Sequence, residues 1–290
     1  MIYILSGNDL KLTSAVLRVW GPDANTYLQG QFTQDLKLAE KAPCYGLWLD
    51  QKGKVLADSH IVKLAENDYL VVSLAMPADP LRARLEAYLI ADEVEVRDAT
   101  EEWIVALVWG DDTSSILVPS GGIEFPSRRA GNGARELLLP AKNAGDFVAQ
   151  IKSLGREGNQ AEADLTRLRA GIPSVPRDIG PRDLPAEGRL DETAISFTKG
   201  CYLGQEVIAR LKNLGQVRRA LHLVTGHGTP PEIGAALHQG ERKIGELRSS
   251  APDGESYLAM AMLSLVNLDA AVPLSREPGA AGDIAILRRI

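Results

Sequence analysis

An internal repeat constrains the fold of this chain more than any other feature of its sequence. Residues 16–23 read VLRVWGPD, and residues 105–112 read VALVWGDD. In both copies an apolar run typical of a strand ends in Trp-Gly. An acidic residue then begins a short predicted helix, where the positive end of the helix dipole favours a carboxylate. Two junctions of the same kind, about 90 residues apart, predict two related folding units.

The elements that follow the two junctions also match. In the first copy a predicted strand (residues 69–74) leads to a predicted helix (81–90), and in the second a strand (136–139) leads to a helix (144–154). A hairpin with Gly53 at its turn is predicted within the first copy. The pattern predicts two related β-α-β-β-α units. Chance similarity between two strand-turn-helix segments is the alternative.

The sequence after residue 155 has a different character. Residues 171–189 are rich in proline and glycine, so we expect an irregular segment that crosses the surface or lines a cleft. A helix is predicted over residues 205–214, with Gly215 at its end. From residue 216 onward, short apolar strands separated by turn residues predict a small C-terminal β-barrel.

Charge and composition exclude several classes of protein. The 290 residues carry 32 Lys and Arg against 38 Asp and Glu, a net charge of −6, which disfavours a protein that binds nucleic acid through a generally basic surface. The two cysteines form no CxxC pair, and the four histidines show no metal-binding spacing. Apolar stretches are far shorter than the about 18 residues of a membrane-spanning helix, and the first residues lack the pattern of a signal peptide. We therefore expect a cytoplasmic, reduced protein.

The segment with the most chemical information is residues 199–206, KGCYLGQE. It places Cys201 in a glycine-flanked loop just before a predicted helix. The N-terminus of that helix and the ammonium of Lys199 both favour the thiolate, which is the nucleophilic and metal-binding form of cysteine. An inert, buried thiol in a tight turn is the alternative interpretation of Cys201, and Cys44 is expected to be a core or surface thiol.

This octapeptide, together with Val207, Ala209 and Arg210, resembles the signature of the YgfZ family. Members of that family are folate-binding proteins connected with iron–sulfur clusters, and they are relatives of the glycine-cleavage T-protein, an aminomethyltransferase. Weaker matches to the family occur in the expected order along nearly the whole chain, at residues 21–24, 28–31, 52–58, 167–173 and 184–187. The resemblance implies two related α+β units and a C-terminal barrel that surround a central folate site.

The predicted fold is therefore α+β, with two related ferredoxin-like β-α-β-β-α units around a central cavity and a small C-terminal β-barrel. We expect the first unit to span residues 1–102. The second unit, which includes the cysteine motif, is expected to span residues 103–214, and the barrel residues 215–290.

The resemblance also implies roles for individual residues. Cys201 is expected to be a redox thiol or a transient iron–sulfur ligand, tuned by Lys199, and no resident metal site is expected. Tetrahydrofolate is the implied cofactor. Its expected contacts are Asp58, Arg169, Tyr202, Gln205, Glu206 and Arg210. The implied partners are iron–sulfur assembly proteins or client iron–sulfur enzymes, such as those that modify tRNA, with no direct binding of nucleic acid or membrane.

The sequence departs from its apparent relatives at two places. T-proteins carry adjacent acidic residues after the central hairpin, whereas the matching pair here is Ala57-Asp58, with one carboxylate. Some YgfZ-family proteins have tryptophans that help to hold folate near the positions of Ser14 and Ala163, and neither position is aromatic here. Because a lost aromatic contact costs about 1 kcal/mol, we expect folate to bind with a Kd in the micromolar range or weaker.

The leading functional prediction is a non-catalytic or weakly catalytic accessory protein that binds a reduced folate and uses the motif cysteine to mature or repair iron–sulfur enzymes. The alternatives are a folate-dependent aminomethyltransferase or other one-carbon transferase, and a protein scaffold without a ligand. Asp58 stays open between structural hydrogen bonding and a pterin contact, since a buried carboxylate needs a partner. Arg169 and Arg210 stay open between pairing with Glu187 or Glu206 and binding the glutamate tail of folate.

Overall fold

The strands of the chain form three five-stranded sheets in the computed structural model, which describes residues 2–6 and 15–290. The strands are β1 (Ile2–Ser6), β2 (Ala15–Trp20), β3 (Cys44–Leu49), β4 (Val55–Ala65), β5 (Asp68–Ser73), β6 (Glu95–Asp98), β7 (Trp103–Gly110), β8 (Ile123–Pro126), β9 (Arg135–Pro140), β10 (Arg156–Glu157), β11 (Arg219–His227), β12 (Ala236–Gln239), β13 (Arg242–Asp253), β14 (Ser256–Ser264) and β15 (Ile284–Arg289). The α-helices are α1 (Ala24–Gln31), α2 (Ala78–Glu86), α3 (Ala141–Leu154), α4 (Gln160–Ala170) and α5 (Gln205–Leu214).

The first sheet has the strand order β3-β4-β5-β2-β6, with every neighbouring pair antiparallel. The predicted hairpin is confirmed, since β3 and β4 pair on either side of Gly53, which has a φ of 72°. Successive residues of a strand point to opposite faces. Trp48 and Ile61 therefore pack with the residues of α1 and α2, while Tyr45 and His60 face the opposite way.

The second sheet has the order β10-β1-β7-β9-β8. Its strand β1 comes from the start of the described chain, where Tyr3 pairs with Trp109 of β7 and with Arg156 of β10. Residues 2–6 fall within the expected first unit, 1–102, yet they belong to the second sheet. Local patterns do not reveal this pairing, because it joins strands about 100 residues apart.

The two Trp-Gly segments each lie at the end of an interior strand of a sheet. Trp20 ends β2, which lies between β5 and β6, and Trp109 lies near the end of β7, which lies between β9 and β1. The glycine after each tryptophan has a positive φ, 131° at Gly21 and 115° at Gly110. The two segments thus share the backbone geometry of a strand end, as the repeat predicts. The second junction leads to a single 3-10 turn, Thr113–Ser115, rather than to the predicted longer helix.

The predicted α+β class is confirmed as a mixed fold with few helices, but the ferredoxin-like description of the units is not. The first unit runs β2-α1-β3-β4-β5-α2-β6 and so contains more strands than predicted, and the second sheet uses β1 from outside its own repeat. The irregular segment expected over residues 171–189 and the helix expected over residues 205–214 are both present.

The third sheet has the order β12-β13-β14-β11-β15, and α4 packs against β13 and β14. The predicted barrel is not confirmed: no closed barrel is found in the described residues, where β12 and β15 are the edges of the sheet and isolated bridges at Leu274 and Ser275 connect them. The chain that would close the gap contains Pro273 and Pro278. Proline has no N–H to donate to a strand ladder, so this segment does not become a sixth strand.

Two apolar clusters hold the sheets together. Val72 of the first sheet packs with Leu138 of the second, and Leu47 of the first sheet packs in a cluster with Met260 of the third. Tyr45 contacts both clusters, so the three sheets meet around Tyr45.

Among the described helices, none has the length and apolar character needed to cross a membrane.

Candidate functional site

Cys201 lies at the surface, in the loop that precedes α5. Its thiol is free and exposed, whereas the thiol of Cys44 is buried, and that burial raises the pKa of Cys44 to about 12. The Cys201 loop borders a depression of about 530 Å³, which is lined by Gly30, Gln31, Gln51 and residues 201–206. Because the thiolate is the reactive form, Cys201 is the cysteine that is available to a partner in solution.

Gly204 allows the cysteine motif to pack closely against the first sheet. Its φ is 83°, and a Cβ atom at this position would lie 2.6 Å from the carbonyl oxygen of Asp50 and 3.2 Å from Cα of Gly53. The neighbouring amide of Leu203 donates a hydrogen bond to the carbonyl of Gly30, 3.0 Å away. The loop therefore rests on the β3-β4 turn and on α1, and a glycine is required at residue 204.

Lys199 binds the last turn of α1 and the chain that follows it. Its Nζ donates to the carbonyl oxygens of Gln29 (2.6 Å), Phe32 (2.7 Å) and Gln34 (3.1 Å), and these bonds use all three N–H groups of an ammonium. Burial lowers the pKa of Lys199 to about 8, which leaves it mostly charged at neutral pH. The sequence predicted that Lys199 acts on the thiol of Cys201, whereas the structure directs its ammonium to these carbonyls.

Of the other motif residues, one is buried in the core and the rest are partly or fully exposed to solvent. Tyr202 is buried in the cluster shared with the third sheet, and burial raises its pKa to about 12. The side chains of Glu206 and Arg210 are 91% and 76% exposed and lie 3.9 Å apart. Gln205 lines the depression beside Cys201. Of the predicted folate contacts in this segment, Glu206 and Arg210 thus point into solvent and pair with each other.

Asp58 lies in a buried polar cluster where the first and second sheets face each other. It is 3% exposed and accepts a hydrogen bond of 2.9 Å from the hydroxyl of Tyr45. The ring of His60 packs between Tyr45 and Phe125, with centroid distances of 5.1 and 4.2 Å. The guanidinium of Arg128 lies 4.8 Å from the centre of the Tyr45 ring. Burial raises the pKa of Asp58 to about 6, against the opposing effects of Tyr45 and Arg128.

Strand β9 and the loop between β8 and β9 contribute charged residues to the same cluster. Arg129 pairs with Glu136 at 2.5 Å, and Ser127 donates to the other oxygen of that carboxylate. Within the described part of the chain, three nitrogen atoms here are buried without a hydrogen-bond partner: Nδ1 of His60, Nε of Arg128 and Nη1 of Arg129. Buried polar groups rarely stay unpaired, so this cluster has the character of a polar ligand site.

The remaining predicted contact, Arg169, and the two positions that lack a tryptophan lie elsewhere. Arg169 is exposed and pairs with Asp253 of the third sheet at 2.6 Å. Ala163 is fully buried and packs with Trp109 in the core of the second unit. Ser14 lies outside the described residues. The structure thus separates the predicted site residues into a surface group at Cys201, a buried group at Asp58, and Arg169 on the side of the third sheet.

Sequence reasoning missed several members of the Asp58 cluster. His60, Arg128 and Arg129 were assigned no role from the sequence. A signal was present in the alternation of β4, where Asp58 and His60 lie on a strand face whose other residues, Leu56, Val62 and Leu64, are apolar. In the described ranges, 2–6 and 15–290, no group of three or more His, Cys, Asp and Glu residues is arranged to hold a metal ion.

The burial of Asp58 predicts that asparagine at this position stabilises the protein. The pKa of Asp58 is about 6 in the folded state and 3.8 for an ordinary aspartate, so the folded state binds the proton more tightly. Stability therefore falls as the pH rises from about 4 to about 6. At higher pH the ionised carboxylate lowers the free energy of unfolding by its full amount, up to about 3 kcal/mol.

We expect Asp58→Asn to raise the free energy of unfolding by about 1–3 kcal/mol at pH 7.5, with a much smaller gain near pH 4. Urea unfolding at both pH values measures the difference. An equal gain at both would show that the Asp58 carboxyl does not titrate as described.

Comparison with families and curated proteins identifies relatives over most of the chain. Residues 12–125 match the model of the GCVT N-terminal domain. An iron–sulfur cluster assembly factor IBA57 homolog, mitochondrial, from Cryptococcus neoformans is 26% identical over 94% of this chain and 78% of its own length. The tRNA-modifying protein YgfZ from Hamiltonella defensa is 29% identical over 77% of this chain and 71% of its own length.

The fold is that of a solved aminomethyltransferase. The crystal structure of glycine cleavage system aminomethyltransferase T from Bartonella henselae superimposes with a TM-score of 0.81, covering 98% of this chain and 84% of that one. At 19% identity, this likeness shows a shared fold. Together, the sequence relatives and this structure confirm the resemblance to YgfZ proteins and to the T-protein fold.

Proposed function

We propose that this chain is a folate-binding accessory protein for the assembly or repair of iron–sulfur clusters, and that it acts through Cys201 to support iron–sulfur enzymes such as those that modify tRNA. The observation that carries the proposal is the free, exposed thiol of Cys201 at the edge of a depression, while the other cysteine is buried. The names of the IBA57 and YgfZ relatives support it. The implied partners are iron–sulfur assembly proteins or client enzymes, and the cytoplasmic location expected from the sequence is part of the same proposal.

The lone thiol fits a transient ligand better than a resident cluster site. The clusters of iron–sulfur proteins are held by several cysteine or histidine side chains, and no such group exists among the described residues. In this proposal iron and sulfide are cargo, and the remaining ligands come from the protein that delivers or receives them.

The folate part of the proposal rests on the cluster around Asp58. Reduced folates present a pterin ring with N–H donors and carbonyl and ring-nitrogen acceptors. The Asp58 carboxylate supplies acceptor atoms, the unpaired nitrogens of Arg128 and Arg129 supply donors, and Nδ1 of His60 donates or accepts according to its tautomer. These residue types therefore fit a pterin. Bound folate would supply a one-carbon carrier, and this chain's own residues would bind and orient it.

Calorimetry with tetrahydrofolate tests this assignment. We expect wild-type protein to bind in the micromolar range or weaker, because neither Ser14 nor Ala163 offers an aromatic surface. Asp58→Ala removes the carboxylate and is expected to weaken binding by tenfold or more, which corresponds to about 1.4 kcal/mol. Asp68→Ala is the matched control, since it removes a carboxylate paired with Arg18 in the same sheet. No detectable binding at millimolar ligand would remove folate from the proposal. Binding that is unaffected by Asp58→Ala would move the site.

A folate-dependent one-carbon transferase is the second candidate, and the pKa of Asp58 is the observation that favours it. A carboxyl with a pKa of about 6 is suited to proton transfer near neutral pH. The accessory-protein proposal expects no turnover when methylamine or glycine-derived substrates are supplied with tetrahydrofolate. Turnover that Asp58→Asn abolishes would select the transferase instead.

A further inference from the structure

We propose that Thr33 and Lys199 are positioning residues for Cys201: together they lock residues 193–203, which carry the thiol, onto residues 29–34, which include the end of α1. This inference rests on the proposed function, in which Cys201 is the working thiol. Neither residue touches a reacting atom in this account. Their role is to fix where the thiol is presented.

The Lys199 side chain is the first lock. A protonated lysine has three N–H donors, and the carbonyls of Gln29, Phe32 and Gln34 accept one hydrogen bond each at 2.6 to 3.1 Å. The ring of Tyr202 lies 5.3 Å from the same ammonium. These carbonyls lie at the C-terminal end of α1 and just beyond it, where a helix attracts positive charge. Lys199 is two residues from Cys201, so this contact restrains the position of the thiol directly.

The Thr33 side chain is the second lock. Its hydroxyl donates to the carbonyl of Ala194 (2.7 Å) and accepts from the amide of Leu47 (2.8 Å). Its own carbonyl accepts from the amide of Ser196, and its own amide donates to the carbonyl of Leu47. Thr33 is fully buried, so water does not replace these bonds if they are lost.

Leu47 connects this lock to the Asp58 cluster. In the β3-β4 ladder Leu47 lies directly opposite Asp58, and Tyr45 lies opposite His60. The hydroxyl of Thr33 thus holds the strand that lines the proposed folate cluster to the segment that carries Cys201. The side chain of Thr33 therefore bonds both to the strand of the Asp58 cluster and to the segment that carries Cys201.

The cysteine segment needs such anchors because it has no regular structure of its own. Residues 196–204 form neither helix nor strand. The amide of Leu203 adds one bond to the carbonyl of Gly30, and Gly204 supplies the packing on the β3-β4 turn. Without the bonds from Thr33 and Lys199, the loop would be held mainly at its C-terminal end.

Amide hydrogen exchange tests the two locks. Thr33→Val keeps the shape of the side chain and removes its hydroxyl, and Lys199→Met keeps much of the length and removes the ammonium. We expect each change to speed exchange in peptides covering residues 193–203 by at least tenfold, and to leave peptides from β14 unchanged. Thr33→Ser is expected to restore slow exchange. Lys63→Met is the matched control, since its ammonium pairs with Glu40 near the far end of β4.

Two results would overturn the inference. Exchange over residues 193–203 that stays at the wild-type rate in Thr33→Val would show that the hydroxyl is not an anchor. Equal acceleration in β14 would show a general loss of stability instead of a local one. The same exchange criterion applies to the ammonium of Lys199, with Lys199→Gln in place of Lys199→Met if that variant does not fold.

A second measurement connects the locks to function. In cells that depend on the protein for the activity of an iron–sulfur enzyme, Thr33→Val is expected to lower that activity and Thr33→Ser to preserve it. Full activity in Thr33→Val despite a loosened loop would refute the positioning role. If Cys201→Ser has no effect in the same cells, the proposed function fails, whereas the exchange result still decides whether the loop is anchored.

Discussion

Replacing Asp183 by alanine is expected to lower the free energy of unfolding by about 3–5 kcal/mol. Its carboxylate is fully buried and accepts two hydrogen bonds from Arg248, at 3.1 and 3.0 Å, and one from Arg219, at 3.1 Å. It also accepts from the amide of Gly180. Both arginines belong to the third sheet, so Asp183 fastens the irregular segment 171–189 to that sheet. Without Asp183, the buried guanidinium of Arg248 would lose its principal counter-charge.

Urea unfolding measures this loss, and Asp253→Ala is its matched control. Asp253 also pairs with an arginine, but Arg169 in that pair is 55% exposed, and exposed pairs contribute about 0–1 kcal/mol. We expect a loss below about 1 kcal/mol for the control. A similarly small loss in Asp183→Ala would mean that the segment is held to the third sheet by its apolar contacts.

Replacing Cys201 by serine is expected to abolish support of iron–sulfur enzymes in cells while leaving the thermal midpoint of the protein unchanged. The side chain is exposed, and serine has nearly the same shape, so little packing is lost. Serine cannot supply a thiolate, which is the form that binds iron or attacks a disulfide. The measurement is the activity of an iron–sulfur enzyme in cells that lack the native protein and express each variant, alongside thermal unfolding of the purified proteins.

Cys44→Ser is the control for the cysteine prediction. Its sulfur is buried, 3.6 Å from the carbonyl of Asp35, so we expect the opposite result, a lower thermal midpoint with support of the enzyme retained by the folded protein. Wild-type enzyme activity in Cys201→Ser would contradict the assigned role of the thiol. A large loss of stability in Cys201→Ser without a functional defect would identify a structural cysteine.

Much of the fold could be predicted because its signals are local. The Trp-Gly repeat, the turn at Gly53 and the helix that ends before Gly215 each depend on residues close together in the chain. Strand β1 could not be placed in this way, since Tyr3 pairs with Trp109 and nothing near residue 3 reveals that partner. The barrel is not confirmed for a related reason: the strands were identified, but whether the outer ones pair depends on the geometry of the intervening chain.

The residues of the candidate site likewise differ in whether nearby sequence could predict them. The cysteine loop was predictable because its motif is contiguous, and the burial of Asp58 followed from its apolar neighbours. The contacts of Lys199 were not predictable, because they join residues 165 to 170 positions apart. Nothing close to Arg128 in the chain points to Asp58, and this arginine becomes part of the Asp58 cluster only because the two sheets pack face to face.

Reactivation of a damaged iron–sulfur enzyme in a cell extract tests the central claim most directly. An extract from cells that lack this protein is treated with oxidant, purified protein is added, and the recovery of activity of a tRNA-modifying iron–sulfur enzyme is followed over time. We predict that wild-type protein restores the activity and that Cys201→Ser, added at the same concentration, does not. Equal recovery with both proteins, or none with either, would contradict the claim that the chain supports iron–sulfur enzymes through the thiol of Cys201.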